Sequence, residues 1–156
     1  TNVMRTVGYV PGAITLLLDG GKGLLAVLLA RMFSGDPLVW LACGVFAIAG
    51  HNWSVFLKFR GGKGVATTAG VFLGVAPMVA LALFLVFLIV VVSTRYISLG
   101  SIIAAVSLPI WLLIFGFPWS GLILGTLISL FTVVRHRENI GRLLSGTEYR
   151  FGDKSR

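Results

Sequence analysis

The sequence predicts an all-α fold, a polytopic integral membrane helical bundle, and three observations carry that expectation. Of the 156 residues, 57% are hydrophobic and only 12% charged, with a mean hydropathy of +0.99. A soluble domain carries about 25% charged residues. The apolar residues fall in long runs broken by Gly, Pro and short polar clusters, and the basic residues lie in those breaks. A helix needs about 20 apolar residues to cross a bilayer. About six membrane segments with short loops then use the whole chain, so residues 1–156 read as a single membrane-embedded domain.

The elements follow in order. A first span runs from about Gly12 to Phe33, with Asp19-Gly20-Gly21-Lys22-Gly23 inside it. Ser34-Gly35-Asp36-Pro37 is a turn, because Gly and Pro punctuate it. A second span runs from Leu38 to Phe56, followed by the basic, glycine-rich stretch Lys58-Phe59-Arg60-Gly61-Gly62-Lys63-Gly64. Val65 to Gly74 is a short apolar piece, and Pro77 opens a strongly apolar span to Val92. After the junction Thr94-Arg95-Tyr96 come spans at Ile97–Phe115, kinked at Pro109, and Pro118–Val134. From Arg135 the chain becomes basic and polar. The small-residue spacings Gly8/Gly12, Gly70/Gly74 and Gly121/Gly125 are expected to serve close packing within the bundle.

Net charge is +8, from 13 Lys and Arg against 5 Asp and Glu. In a membrane protein such an excess marks cytoplasmic loops. If Val65 to Val92 were one helix it would be roughly 42 Å long at 1.5 Å per residue, too long for a core of about 30 Å. A turn at Gly74–Pro77 makes the short piece its own crossing or a re-entrant arm. Arg5, Lys58, Arg60, Lys63, Arg95, Arg135 and Arg137 then share the cytoplasmic face, leaving Arg31 near the other. Nucleic acid is not an expected partner, since the basic residues are interspersed with hydrophobic spans. The one cysteine, Cys43, sits in an apolar run and reads as a small packed hydrophobe.

Five constellations could carry chemistry. Gly61-Gly62-Lys63-Gly64 ahead of a helix can cradle a phosphate, since glycines let amides turn toward an anion and a helix N-terminus adds partial positive charge. It is no Walker A loop, because Leu57 and Gly64 stand where Gly and Ser/Thr are required. Arg135-His136-Arg137-Glu138-Asn139 can place a His and an amide on one face. If the last span continues as a helix, Arg135, Asn139 and Arg142 form a stripe. His51 lies at the cytoplasmic end of its span. Asp19 and Lys22 are an i, i+3 pair inside an apolar helix, where each charge is costly. Thr1-Asn2…Arg5 is a cationic segment before the first span. Two separated His, one Cys and few carboxylates make no metal set. No Ser-His-Asp or G-x-S-x-G signature occurs. Neither His51 nor His136 has an Asp five residues on, where Phe56 and Gly141 stand.

Taken together, Thr1-Asn2-Val3-Met4-Arg5, Asp19…Lys22-Gly23, Gly50-His51 with Gly61-Gly62-Lys63-Gly64-Val65-Ala66-Thr67, and His136-Arg137-Glu138-Asn139-Ile140…Arg142-Leu143…Gly146-Thr147-Glu148 resemble the bacterial membrane acyl-phosphate:glycerol-3-phosphate acyltransferase family over essentially the whole chain. The resemblance implies seven membrane helices, of which the chain would hold the last six. A first helix and the start of the first motif are expected upstream. It implies transfer of a fatty acyl group from acyl phosphate to the sn-1 hydroxyl of glycerol 3-phosphate, giving lysophosphatidic acid and phosphate in phospholipid synthesis. No cofactor and no metal are implied. The catalytic residues would be His136, Asn139 and Lys63. The substrate-binding residues would be Thr1, Asn2, Arg5, His51, Gly61, Gly62, Lys63, Gly64, Arg142 and Glu148. The implied setting is the bacterial cytoplasmic membrane, multi-pass, with the motifs on the cytoplasmic side and the protein a monomer. The alternative is a small transporter for an organic phosphate, since basic loops and broken helices also suit transport.

Overall fold

A computed structural model describes residues 2–55, 58–59 and 61–152, with Asn2 described by its backbone alone. The expectations that fall on Thr1, Phe56, Leu57 and Arg60 lie outside these residues, as does any role of the Asn2 side chain. Among the described residues the secondary structure is helical: α1 (Asn2–Thr6), α2 (Tyr9–Phe33), α3 (Pro37–Asn52), α4 (Val65–Val75), α5 (Pro77–Thr94), α6 (Ile97–Ile114), α7 (Trp119–Arg135) and α8 (Arg137–Leu144). The helices group into two compact units, residues 1–80 and 81–156.

In the first unit α2 packs against α1, α3 and α4, and α3 packs against α4. Asp36 starts α3: its side chain accepts from the Leu38 amide at 2.8 Å, and Pro37 occupies the first turn, where its missing N–H is harmless. Small residues set the α2–α4 spacing. A Cβ on Gly70 would strike the Gly20 carbonyl, one on Gly23 the Thr67 carbonyl, and one on Gly74 the Val27 side chain. Gly44 meets Val71 in the same way across α3 and α4. Backbones that approach this closely gain dispersion contacts along their length, the main source of helix affinity in lipid. Val27, Leu41, Val71 and Phe72 fill the core between them. Gly12 likewise accepts Met4 of α1. At the far end Arg31 donates to the Gly74 carbonyl at 3.2 Å and lies over the Trp40 ring.

In the second unit α6 packs on α7, and α8 touches both. Gly125 of α7 admits Leu112 of α6, which is fully buried beside Leu108. The expected close-packing role of the glycine spacings therefore holds at Gly12, Gly70, Gly74 and Gly125. Pro109 lies inside α6 without ending it.

α2, α5 and α6 are long and apolar enough to cross a membrane, and α7 with α8 passes the same test as a pair bent by 56°. α3 and α4 are shorter apolar helices; α4 is about 16 Å long at 1.5 Å per residue. The expected break ahead of Pro77 falls at Ala76, whose non-helical backbone (φ −149°, ψ 81°) ends α4. Outward faces are apolar, with Leu17, Phe46, Ile89 and Trp119 all exposed, as a lipid-facing surface requires.

The last span ends where the basic segment begins, as expected, so the condition for a continued stripe is not met. The helix ends at Arg135, His136 stands between α7 and α8 with φ −96° and ψ 8°, and the axis turns there. Arg135 consequently belongs to a different helix from Asn139 and Arg142, and the three form no continuous stripe.

Candidate active site

The glycine-rich loop is built against the end of α3. The Gly61 amide donates to the Asn52 carbonyl at 3.2 Å, and a Cβ on Gly61 would collide with the His51 carbonyl. A Cβ on Gly62 would fall on His51 Nε2. Gly64 has φ +77°, the left-handed region that side chains avoid, and forms the N-cap of α4 without a side-chain acceptor. All three glycines are thus required by contact or conformation. The loop delivers Lys63, half-buried, to a helix start whose first-turn amides receive no side-chain cap. That is the arrangement by which helix N-termini hold anions. Asn52 is fully buried beside Gly64, and neither its Oδ1 nor its Nδ2 has a hydrogen-bond partner among the described residues.

His51 closes a cluster with α2. Lys22 Nζ donates to Asp19 Oδ1 at 2.7 Å and reaches His51 Nδ1 at 2.6 Å, while Asp19 Oδ1 lies 3.3 Å from the same nitrogen. Arg5 is exposed in the last turn of α1. In this unit, then, the structure gathers His51, Gly61, Gly62 and Gly64, and it adds Asp19 and Lys22 to them.

The second unit holds the other residues. His136 is 2% exposed, and its Nδ1 lies 2.8 Å from the Thr132 carbonyl. A carbonyl only accepts, so Nδ1 is the donor in this contact. Three residues on, buried Asn139 donates from Nδ2 to Glu148 Oε1 at 2.7 Å. Its amide oxygen is therefore its acceptor end, turned from the carboxylate. Ser98 of α6 donates to the same Oε1 at 2.7 Å, and Arg142 Nε donates to Oε2 at 2.7 Å. Burial alone would raise the Glu148 pKa. The hydrogen bonds from Ser98, Asn139 and Arg142, with the Arg142 charge, outweigh it and hold the carboxyl below its ordinary value of 4.5.

Beyond Glu148 the chain is strapped to the α5–α6 junction. The Phe151 amide donates to the Arg95 carbonyl at 2.7 Å, Arg95 Nε donates back to the Phe151 carbonyl at 3.0 Å, and Arg150 Nε donates to the Tyr96 hydroxyl at 2.9 Å. Sequence reasoning did not find Ser98, Asn52 or this strap. Ser98 and Glu148 are 50 residues apart, and a serine in an apolar helix gives no signal of such a partner. Among the described residues no group of three His, Cys, Asp or Glu could hold a metal ion.

A helical membrane protein with a lysine-bearing glycine loop at a helix start and a buried His–Asn pair is thereby defined. Residues 1–146 match the family "Glycerol-3-phosphate acyltransferase". Glycerol-3-phosphate acyltransferase of Desulforamulus reducens is 48% identical over 99% of this chain and 77% of its own length. Glycerol-3-phosphate acyltransferase 2 of Moorella thermoacetica is 48% identical over 99% and 79%. A crystal structure of PlsY (YgiH), an integral membrane glycerol 3-phosphate acyltransferase in its glycerol 3-phosphate form, matches with a TM-score of 0.90 at 42% identity, over 97% of this chain and 76% of that one. The chain belongs to the glycerol-3-phosphate acyltransferase family, and it is an integral membrane protein.

Proposed function

We propose that this protein transfers a fatty acyl group from acyl phosphate to the sn-1 hydroxyl of glycerol 3-phosphate, giving lysophosphatidic acid and phosphate. The observation that carries the reading is the Gly61–Gly64 loop, which sets Lys63 at the uncapped start of α4 in a chain of this family. The comparison protein's glycerol 3-phosphate form supports the acceptor. The anion-binding chemistry of the loop supports a phosphorylated substrate. The relatives reported above are acyltransferases, which favours this reading over the transporter alternative.

Acyl phosphate is an activated donor with phosphate as a good leaving group, so no protein nucleophile is required. The acceptor oxygen bonds to the acyl carbon, the carbon–oxygen bond to phosphate breaks, and the hydroxyl proton passes to a phosphate oxygen. The protein's task is to hold two anions together and orient the hydroxyl. Lys63, Arg5 and the loop amides offset phosphate charge and stabilise the oxyanion. His136 and Asn139 orient the glycerol backbone of the acceptor, leaving the sn-1 hydroxyl proton to the phosphate oxygen. Arg142 serves the same anionic substrates with the part of its guanidinium that Glu148 does not engage. Glu148 positions Asn139 and Arg142, since a carboxylate would repel phosphate. The whole acts as one membrane-embedded domain in the cytoplasmic membrane, with its motifs on the cytoplasmic side. It requires no cofactor and works as a monomer.

The test is phosphate release from a purified sample given a long-chain acyl phosphate. Release that depends on glycerol 3-phosphate, with lysophosphatidic acid formed in equal amount, is the expected result. Release independent of the acceptor overturns the reading.

A further inference from the structure

We infer that Asp19, Lys22 and His51 form a relay that positions the Gly61–Gly64 loop, so that two charges within α2 act on phosphate binding through the ring of His51. This deepens the function proposed above and rests on its reading of the loop.

An apolar span tolerates Asp19 and Lys22 only with a compensating gain, and their mutual ion pair supplies part of it. That pair alone does not require a third residue, yet Lys22 Nζ also reaches His51 Nδ1 at 2.6 Å. An ammonium has only donors. In that contact His51 Nδ1 accepts, which places the ring proton on Nε2, and Asp19 Oδ1 holds the ammonium on the same side, 3.3 Å from that nitrogen. The opposite edge of the ring meets the loop: Nε2 occupies the space a Gly62 Cβ would need, while the His51 carbonyl crowds Gly61. His51 side-chain exposure is 15%, so the ring is held between α2 and the loop. One residue on, the Asn52 carbonyl accepts from the Gly61 amide. Orientation of the ring by Lys22 is thereby converted into a fixed path for the backbone that carries Lys63. Asp19, Lys22 and His51 are positioning residues, acting on substrate only through the loop.

The experiment uses the full chain in detergent. Lys22→Met and His51→Ala are expected to speed hydrogen exchange at the Gly61–Gly64 amides by about tenfold or more, the loss of one charge-assisted bond, with exchange in α6 unchanged. The KM for glycerol 3-phosphate should rise roughly tenfold with kcat within about twofold. His51→Gln, which offers an acceptor and a donor, should recover part of both effects. The double variant Asp19→Leu/Lys22→Met removes both charges. A pair serving only helix packing would be restored by it, whereas the relay predicts a KM as high as in Lys22→Met. Unchanged loop exchange in Lys22→Met, or a wild-type KM in the double variant, overturns the relay. Lys63→Ala is the control. If it is impaired while Lys22→Met is not, the relay alone fails; if Lys63→Ala keeps a wild-type KM, the reading of the loop itself fails.

Discussion

At the scale of single residues, the Nδ1 contact of His136 sharpens the question of its role. Its Nδ1 donates to the Thr132 carbonyl, so any action of the ring on the acceptor falls to Nε2. If the ring only orients the acceptor, His136→Gln retains much of the activity that His136→Ala loses. If it were the base, both would fall by about 10²–10⁴ and the acidic limb of the rate profile would vanish. The orienting role is the expected outcome, because acyl phosphate brings its own basic oxygens; kcat and pH profiles of the variants decide it. Lys63→Ala should lose about 2–5 kcal/mol of transition-state stabilisation, the range for truncating one partner of a buried charge contact. Lys63→Arg should be impaired as well, since a planar fork replaces a point charge poorly. Steady-state kinetics on the folded variants measure both.

At the scale of elements, Glu148 ties α6, α8 and the tail together. Its carboxyl titrates below 4.5 in the folded protein. A depressed carboxylate contributes stability that is fully present above its unfolded pKa and lost as pH falls through the folded one. Glu148→Gln should therefore be less stable than wild type at pH 7, by about 1–3 kcal/mol for a hydrogen-bonded ionised group. The two proteins should converge only once pH has fallen through the lowered folded-state pKa. Thermal unfolding in detergent across pH reads the difference, and parallel curves would remove the ionised carboxylate from the account. The α2–α4 contact gives a second test. Gly70→Ala forces a methyl group onto the Gly20 carbonyl and should cost about 1–3 kcal/mol. Gly21→Ala points into open space and should be neutral or stabilising by up to about 1 kcal/mol.

At the scale of the whole molecule, the distribution of charge makes the proposed membrane topology testable. Asp36 and Lys58 flank α3, and the function proposed above expects Lys58, Lys63 and Arg95 on the cytoplasmic side, in keeping with the positive-inside bias. In a Cys43→Ala background, cysteines at Lys58 and Arg95 should be shielded from an impermeant thiol reagent in intact cells. A cysteine at Asp36 should label from outside. Equal labelling of Asp36 and Arg95 overturns separate crossings by α4 and α5. The break at Ala76 is the local reason to expect them, because an 11-residue α4 cannot share one straight span with α5.

The sequence by itself determined the class and the elements and picked out the motif residues. Apolar runs separated by Gly, Pro and Lys/Arg have one stable solution in lipid, where every backbone group must be bonded internally. Span ends came out within a few residues for the same reason, as at Pro77 and Trp119. The motif residues were legible because glycine before a lysine and a helix start, or His three residues ahead of Asn, is local information. What the tertiary structure decided was long-range or conformational. Asp19 and Lys22 read equally as a functional pair or a packing pair, and it was α3 that placed His51 against Lys22. The convergence of Ser98, Asn139 and Arg142 on the Glu148 carboxylate was likewise set by the fold. The bend at His136 separated Arg135 from Asn139, although both segments have helical character. In each case the deciding partner is remote in sequence or the backbone departs from its periodic path, and neither composition nor spacing encodes which side chain a packed helix will present.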